Sequence, residues 1–421
     1  MRFDDLASWL RWQESLHPNA IDLGLARVVE VLERLGWTRP HYPIVTIGGT
    51  KGKGSTVALL ERILSAAGYR VGAFTSPHLR RYNERIRIAE REISDASLLA
   101  AFARIDAARD DVSLTFFEFN TLAALLVFET AGLDAMLLEV GMGGRLDAVN
   151  VVDADVSVVT SVALDHCEWL GYDVESIGRE KAGIYRADRP ALFGSRNPPA
   201  SVVQTALDLH ANFLRLDRDF GYAIHEETWD WFMQGKKWAN LPRPWLFGAT
   251  QVSNAATSLT VLECLSERLP VSRAAIEQGL SSADLPGRFQ SLTRAGRLWI
   301  LDVAHNAASA RTLAENLRAL ASSGRTLAIC GILGDKDIEA IAQEMAAFVH
   351  QWIVVPLLSP RALPTDELAK RLSAGGARDV TVAPSIESAA AQAQTSATTQ
   401  DRIVVFGSFL TVGPMLDWLQ A

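Results

Sequence analysis

Residues 43–56 read Pro43-Ile-Val-Thr-Ile-Gly-Gly-Thr-Lys-Gly-Lys-Gly-Ser-Thr56. Pro43 to Ile47 is a short apolar run of the kind a buried strand carries, and Ser55 to Ala67 has the 3.6-residue period of a helix. Gly68 stops that helix, and Arg70 to Phe74 reads as the next strand. A strand, glycine-rich turn, helix and second strand make the start of a parallel α/β sheet. Closely spaced glycines permit positive φ and close backbone approach. Successive amides at the helix start then point at phosphate oxygens, helped by the positive helix end. Lys53 can reach β/γ phosphates, and Ser55 or Thr56 can face Mg²⁺. Gly54 separates Lys53 from Ser55, so the ordinary G-x-x-x-x-G-K-[ST] pattern is not met strictly.

Outward from this unit the alternation continues. Helices are predicted from Ser94 and Asp95 to about Ala108, over Asn120 to Thr130, over Asp173 to Ile184 and over Gln251 to Glu267. Strands are predicted at Asp134 to Val140 and Asp155 to Ser161. Phe220 to Trp245 holds four tryptophans among glycines and prolines, and reads as short antiparallel strands beside the main sheet with the indoles packed. A second alternating set starts near Pro286. Its strands are Leu298 to Val303, Thr326 to Gly331, Trp352 to Pro356, Val380 to Ala383 and Arg402 to Gly407. Its helices are Ala308 to Ala321, Ile338 to Phe348, Glu367 to Ser373 and Ile386 to Ala397, the last within a low-complexity stretch expected at the surface. The expected division is a domain of residues 1–285 and a smaller one of residues 286–421.

Composition excludes whole classes. The 421 residues are 48% hydrophobic and 21% charged, so the chain is not disordered. A net charge of −8 does not favour nucleic acid or a membrane surface as partner. No run of 18 uncharged apolar residues predicts a membrane span. Asp4, Asp5 and Arg11 interrupt the N-terminal apolar pattern, which is not that of a signal peptide. Cys167, Cys264 and Cys330 are odd in number and widely spaced, as in a reducing cytoplasm. Only 7 of the 41 basic residues are lysine, and Lys51, Lys53, Lys181 and Lys336 all fall within candidate motifs.

Ligands of open α/β sheets gather at the carboxyl ends of strands. Glu139 stands at such an end, where it is either an Mg²⁺ ligand or the partner of an arginine. Asp165 and His166 follow the next strand at a similar level. Ser76, in Thr75-Ser-Pro-His-Leu79, can orient a metal-bound water or line a substrate entrance. Arg80, Arg81, Arg85 and Arg87 either attract a polyanion or form a solvated face with Glu84 and Glu90.

In order and spacing these motifs resemble those of the folylpolyglutamate synthase and dihydrofolate synthase family, relatives of the Mur peptide ligases. The resemblance runs through Leu16-His-Pro-Asn-Ala-Ile-Asp-Leu-Gly-Leu25, the loop Gly49 to Thr56, Thr75 to Leu79 with Asn83 to Ile86, and Phe117-Glu118. It continues through Glu139-Val-Gly-Met-Gly-Gly-Arg-Leu-Asp147 with Asn150, Asp165-His166 and Glu180 to Ile184. Pro286-Gly-Arg288, Asp302-Val-Ala-His-Asn306, Gly331 with Asp335 to Asp337, and Gly407-Ser408 extend it to the C-terminal part.

The resemblance implies a two-domain Mur-ligase-like α/β fold, with a P-loop-type ATPase domain followed by a smaller Rossmann-like one. It implies a monomeric ligase that adds L-glutamate to dihydropteroate and to tetrahydrofolate or folylpolyglutamate, with ATP and Mg²⁺. Gly49, Thr50, Lys51, Gly52, Lys53, Gly54, Ser55, Thr56, Asn254, Arg288, Asp302 and His305 are the implied nucleotide contacts. Ser55, Ser76, Glu139, His166 and a carbamylated Lys181 are the implied metal set, and Lys53, His166, Lys181 and Arg288 the implied catalytic groups. There are departures from the family pattern: Thr250 precedes Gln251, Val303 replaces a glycine, Ala307 a proline, and Lys51 stands where many members have asparagine. Folylpolyglutamate synthesis alone is the alternative, and a Mur-type amino-acid ligase or a P-loop kinase or regulator would be a different class.

Overall fold

The computed structural model describes residues 2–320 and 324–421. The chain divides into two compact units. The first runs to His78, then from Tyr82 to Trp245 and from Thr250 to Ala283; the second takes Leu79–Arg81, Leu246–Ala249 and the chain from Asp284 on. No local sequence signal marks the two short segments that belong to the second unit.

The first unit is built on an eight-stranded sheet. Ile44–Gly48 lies between Ala135–Glu139 and Val156–Val159, with parallel pairing on both sides. Val71–Phe74 follows on one flank, and Pro190–Phe193 and Asn212–Arg215 on the other, all parallel. The hairpin strands Ile86–Ile88 and Arg91–Glu92 close one edge in antiparallel fashion. The central strands are buried along their whole length. Burial on both faces is why they read as continuous apolar runs.

Capping decides where helices begin. The helix expected from Asn120 starts earlier, as Phe116–Glu129, because Thr115 and Glu118 form a capping box. Asp95–Arg109 starts where Ser94 accepts the amide of Ser97. Two helices with no sequence-based expectation, Leu6–Leu16 and Ala26–Arg34, complete this side. Trp9, Phe102 and Phe119 pack there without exposure, and each such side chain contributes about 1.5–3 kcal/mol of burial free energy. Arg27 ties the second helix to the capping box, donating to Glu118 at 2.9 Å and to Asp22 at 2.8 Å.

The tryptophan-rich stretch does form antiparallel strands, but as a separate three-stranded sheet of Phe220–Ile224, Thr228–Met233 and Lys236–Pro242. Trp229 and Trp231 are wholly buried, and Trp231 Nε1 donates to Thr260 Oγ1 of the helix Gln251–Cys264 at 3.1 Å. Trp245 is 69% exposed, so packing does not account for it.

The second unit has a six-stranded sheet in the order Gln290–Arg294, Arg297–Leu301, Arg402–Phe406, Thr326–Cys330, Gln351–Val354, Val380–Val382. The first pair is an antiparallel hairpin and the rest are parallel. Helices cover its two faces through separate apolar clusters. The helix expected to end at Ala321 is Ala307–Ala319, and Ala321 itself lies outside the described residues. Ile386–Ser396, expected at the surface, buries Ala389, Ala390 and Ala393 completely against the sheet. Alanine is small enough to bring that helix close, which low complexity concealed.

Candidate active site

The loop after Ile44–Gly48 is held by the end of the neighbouring strand. Thr50 N–H donates to Ser161 O at 2.8 Å, and Lys51 N–H to Ser161 Oγ at 3.0 Å. The hydroxyl of Thr160 donates to Lys51 O at 2.6 Å. Gly49 has φ 137°, and a Cβ there would stand 2.0 Å from Thr160 Oγ1. Gly52, at φ 94°, caps the helix Lys53–Ala66, and a Cβ on it would meet Asn254 Oδ1 at 2.7 Å. Both glycines are therefore required by conformation and by space. Asn254, brought by the helix Gln251–Cys264, sits directly against the loop, with its Nδ2 donating to Gln251 Oε1 at 3.0 Å. Thr250 occupies the N-cap of that helix without making a side-chain cap bond.

The side chains on the loop divide their tasks. Lys53 Nζ folds back onto Gly49 O at 3.0 Å, so its charge lies over the loop. Thr56 is fully buried, and its hydroxyl bonds to Gly52 O at 2.9 Å. Ser55 is the hydroxyl left for a metal. In the sheet register Ile47 lies beside Glu139, which brings that carboxylate to the loop. Glu139 is 5% exposed, and its Oε2 accepts the amide of Ser76 at 3.0 Å. Ser55, Ser76 and Glu139 offer hard oxygen donors, which suit Mg²⁺. Among the described residues no three His, Cys, Asp or Glu side chains converge. Few protein carboxylates fit an ion that keeps waters and binds substrate phosphates.

Lys181 sits on the helix Val174–Ala182 and is 3% exposed. Burial, and then the charge of Lys53, push its pKa down to about 8, while Asp165 and Asp147 oppose the shift. Gly144 makes this placement possible, since a Cβ there would lie 2.7 Å from Lys181 O. The Arg145 amide donates to Glu180 O at 2.8 Å, locking the loop after Glu139 to the same helix. Asp147 accepts the amides of Met142 and Val149 at 2.8 and 3.1 Å. Burial outweighs those bonds and the nearby Lys53, pushing its pKa up to about 7. His166 is in the left-handed region, φ 50°, and its ring is about half exposed, 3.8 Å from Asp165. The structure thus gathers the loop, Ser76, Glu139, Asn254 and Lys181, with Asp165 in electrostatic range of Lys181.

Within the arginine-rich segment, Arg85 and Arg87 are engaged inside the first unit. Arg87 pairs with Glu61 at 2.7 Å, and Glu90 with Arg62 at 2.6 Å. Arg85 is buried, donating to His78 Nδ1 at 2.8 Å and lying over the ring of Phe116. Thr160 and Ser161 are functional residues the sequence reading missed. Ser161 closes the predicted strand, and hydroxyls at a strand end were the available signal.

Arg288, Asp302 and His305 belong to the second unit. Gly287 and Phe289, both buried, flank the exposed Arg288 at φ 69° and 48°, so the arginine rides a tight turn. Asp302 accepts the amides of Phe289 at 2.9 Å and Ala304 at 2.8 Å. Burial raises its pKa, and Arg288 opposes that. His305 Nδ1 bonds to Val303 O at 2.8 Å. Val303 packs its Cγ1 3.1 Å from where a Cβ on Gly287 would lie. Asp335 is engaged by Lys336 at 3.1 Å and by Arg361 at 2.5 Å, while Asp337 caps the helix Ile338–Met345.

A phosphate loop with a strand-end carboxylate, followed by a second, mostly parallel α/β unit, fits the class of ATP-dependent ligases of the Mur type. Residues 287–409 match the model of the Mur ligase glutamate ligase domain. The chain is 44% identical over 416 residues to dihydrofolate synthase/folylpolyglutamate synthase of Escherichia coli, covering 99% of this chain and 96% of the relative. Escherichia coli FolC in complex with DHPP and ADP superposes with a TM-score of 0.92 at 43% identity, covering 99% of this chain and 98% of that one. A bifunctional folylpolyglutamate synthase/dihydrofolate synthase with Mn, AMPPNP and L-glutamate bound gives 0.88 at 44% identity, with 99% and 98% covered. The chain belongs to the dihydrofolate synthase/folylpolyglutamate synthase family. Its fold is accordingly the two-domain Mur-ligase architecture, with a P-loop-type first domain and a Rossmann-like second.

Proposed function

We propose that the chain activates a carboxylate with ATP and joins L-glutamate to it, accepting both dihydropteroate and reduced folates. The observation that carries this reading is the loop Gly48 to Thr56, held over the sheet beside Glu139, in a chain related along its whole length to bifunctional enzymes. The acceptor carboxylate attacks the γ-phosphorus, ADP leaves, and an acyl phosphate forms. The amine of glutamate attacks the acyl carbon, loses a proton, and the tetrahedral intermediate expels phosphate to leave an amide.

The obstacle is repulsion between carboxylate and triphosphate. The loop amides and Lys53 bind phosphate oxygens, and Arg288 adds a second cation there. Asn254, Asp302 and His305 contact the nucleotide. Bound Mg²⁺ supplies further neutralisation of phosphate charge, held by Ser55, Ser76 and Glu139, with His166 and Lys181 as a second set. An ammonium cannot ligate a metal, so Lys181 acts as its carbamate. What supports this is a buried amine facing the positive charge of Lys53, where a carbamate would exchange repulsion for attraction. A bicarbonate-supplied crystal with only a free amine beside an occupied metal site would overturn it.

On this reading residues 1–285 bind ATP and the pterin, and residues 286–421 complete the nucleotide and glutamate sites. No helix among the described residues is long and apolar enough to cross a membrane. We place the chain in the cytoplasm as a monomer, which light scattering of the purified protein checks. The deciding assay supplies ATP, Mg²⁺ and L-glutamate with dihydropteroate or tetrahydrofolate separately, and measures amide and phosphate. Product from both acceptors is expected. Product from tetrahydrofolate alone selects the narrower synthase, and phosphate without amide refutes the ligase.

A further inference from the structure

We propose that the cavity at the start of the strand Val71–Phe74 is a binding site for a small organic polycarboxylate. Its volume is about 730 Å³, within the ~300–1,000 Å³ of small-molecule sites. It lies wholly within the first unit, between the hairpin Ile86–Ile88/Arg91–Glu92 and the helices Asp95–Arg109 and Phe116–Glu129. Arg70, on its wall, precedes the strand, whereas Thr75 and Ser76 follow it. At ~3.3 Å per residue the strand puts roughly 13 Å between this cavity and the phosphate loop's side of the sheet. The proposal therefore does not rest on the ligase reading.

The wall is cationic in a chain of net charge −8. Arg70, Arg91 and Arg104 line it against one carboxylate, Glu92. Arg70 Nε is used on Ala131 O at 2.8 Å, which leaves its terminal nitrogens for the cavity. Arg104 is 3.6 Å from Glu129, a long and half-exposed contact. No ion pair or side-chain hydrogen bond engages Arg91 among the described residues. Ala89 and Glu90, at φ 50° and 66°, make the tight turn that presents Arg91. Arg62 holds the carboxylate of Glu90 at 2.6 Å, so that this neighbour's charge is already neutralised.

Guanidinium forks match carboxylates two bonds at a time. Three forks around one cavity call for more than one carboxylate on the ligand. Ile88, Leu126 and Val127 add an apolar wall, which a bare inorganic ion would leave uncovered. An organic body carrying several carboxylates satisfies both features.

Calorimetric titration of the full chain tests this with tricarballylate, p-aminobenzoyl-tri-γ-glutamate and inorganic pyrophosphate. Saturable one-to-one binding of at least one polycarboxylate is expected. Tricarballylate would point to a free metabolite acid, and the aminobenzoyl compound to an oligoglutamate chain. R91A/R104A should weaken binding by about tenfold or more. V127W should do so by filling the cavity with the charges intact. Both variants should keep ligase turnover within about twofold of wild type, as surface changes far from a reacting centre do. No saturable binding of either polycarboxylate below about 10 mM overturns the proposal. So does affinity unchanged in both variants, or pyrophosphate binding as tightly as the polycarboxylates.

Discussion

The phosphate loop of the first unit and the arginine turn of the second present positive charge differently, one through backbone amides and the other through a side chain. The loop is tied through main-chain groups to Thr160 and Ser161, beside strands that are buried on both faces. The turn that carries Arg288 exposes that side chain between buried Gly287 and Phe289, and it is anchored by the Asp302 carboxylate, which accepts the Phe289 amide, and by the Val303 amide, which donates to Gly287 O. Amide dipoles bind phosphate only if they do not have to reorganise, so the loop is fastened to the buried strand end. A guanidinium carries its full charge at the end of a flexible side chain, so there the side chain alone reaches solvent while the flanking residues stay buried.

The comparison breaks if the loop proves tolerant. Lys53→Ala should cut ATP-dependent turnover by roughly 10²-fold or more, the usual loss of one preorganised electrostatic group. Phosphate and amide measured at saturating substrates check it, and near-wild-type rates would sink the assignment. Gly49→Ala tests the backbone rather than the charge. A Cβ 2.0 Å from Thr160 Oγ1 at φ 137° cannot be accommodated without moving the loop. A loss of about 2–4 kcal/mol of stability is expected, read from denaturant midpoints.

A subtler test is pH dependence. Asp147 has a folded pKa of about 7, above its unfolded value, because burial disfavours its charge. Folding therefore favours the protonated form. Its contribution is fully present below the ordinary carboxylate range and is lost as pH rises toward 7. Asp147→Asn should flatten that fall, whatever it does to the baseline by removing an acceptor from Met142 or Val149. Parallel thermal midpoints for the two proteins between about pH 4 and 7.5 would contradict the buried-charge account. The smallest effect belongs to the turn. Val303→Gly removes a side chain packed over Gly287, and should cost about 1 kcal/mol while changing the KM for ATP less than about threefold. A large rise in KM would show that the turn is as finely set as the loop.

Much of the fold was legible because parallel strands buried on both faces read as nearly continuous apolar runs, broken in Ile44–Gly48 by Thr46 and in Ala135–Glu139 by the terminal Glu139. Boundaries were less legible where side chains choose them. The capping box at Thr115 moves one helix start, and the alanines of Ile386–Ser396 hide a buried face. Leu6–Leu16 and Ala26–Arg34 went unread, although Trp9, Val28 and Val31 are fully buried.

For the site, the loop and the strand-end position of Glu139 were legible in the sequence by itself, whereas Lys181 entered through the family resemblance and its burial came from the structure. Glycine conformation and residue chemistry leave local marks that survive in a linear pattern. Only the tertiary structure decided that Thr160 and Ser161 hold the loop and that Asn254 abuts Gly52. It also decided that Arg87 pairs with the Glu61 carboxylate. Those contacts join residues more than twenty positions apart, and a hydrogen bond or ion pair depends on distance in space, which spacing along the chain does not encode.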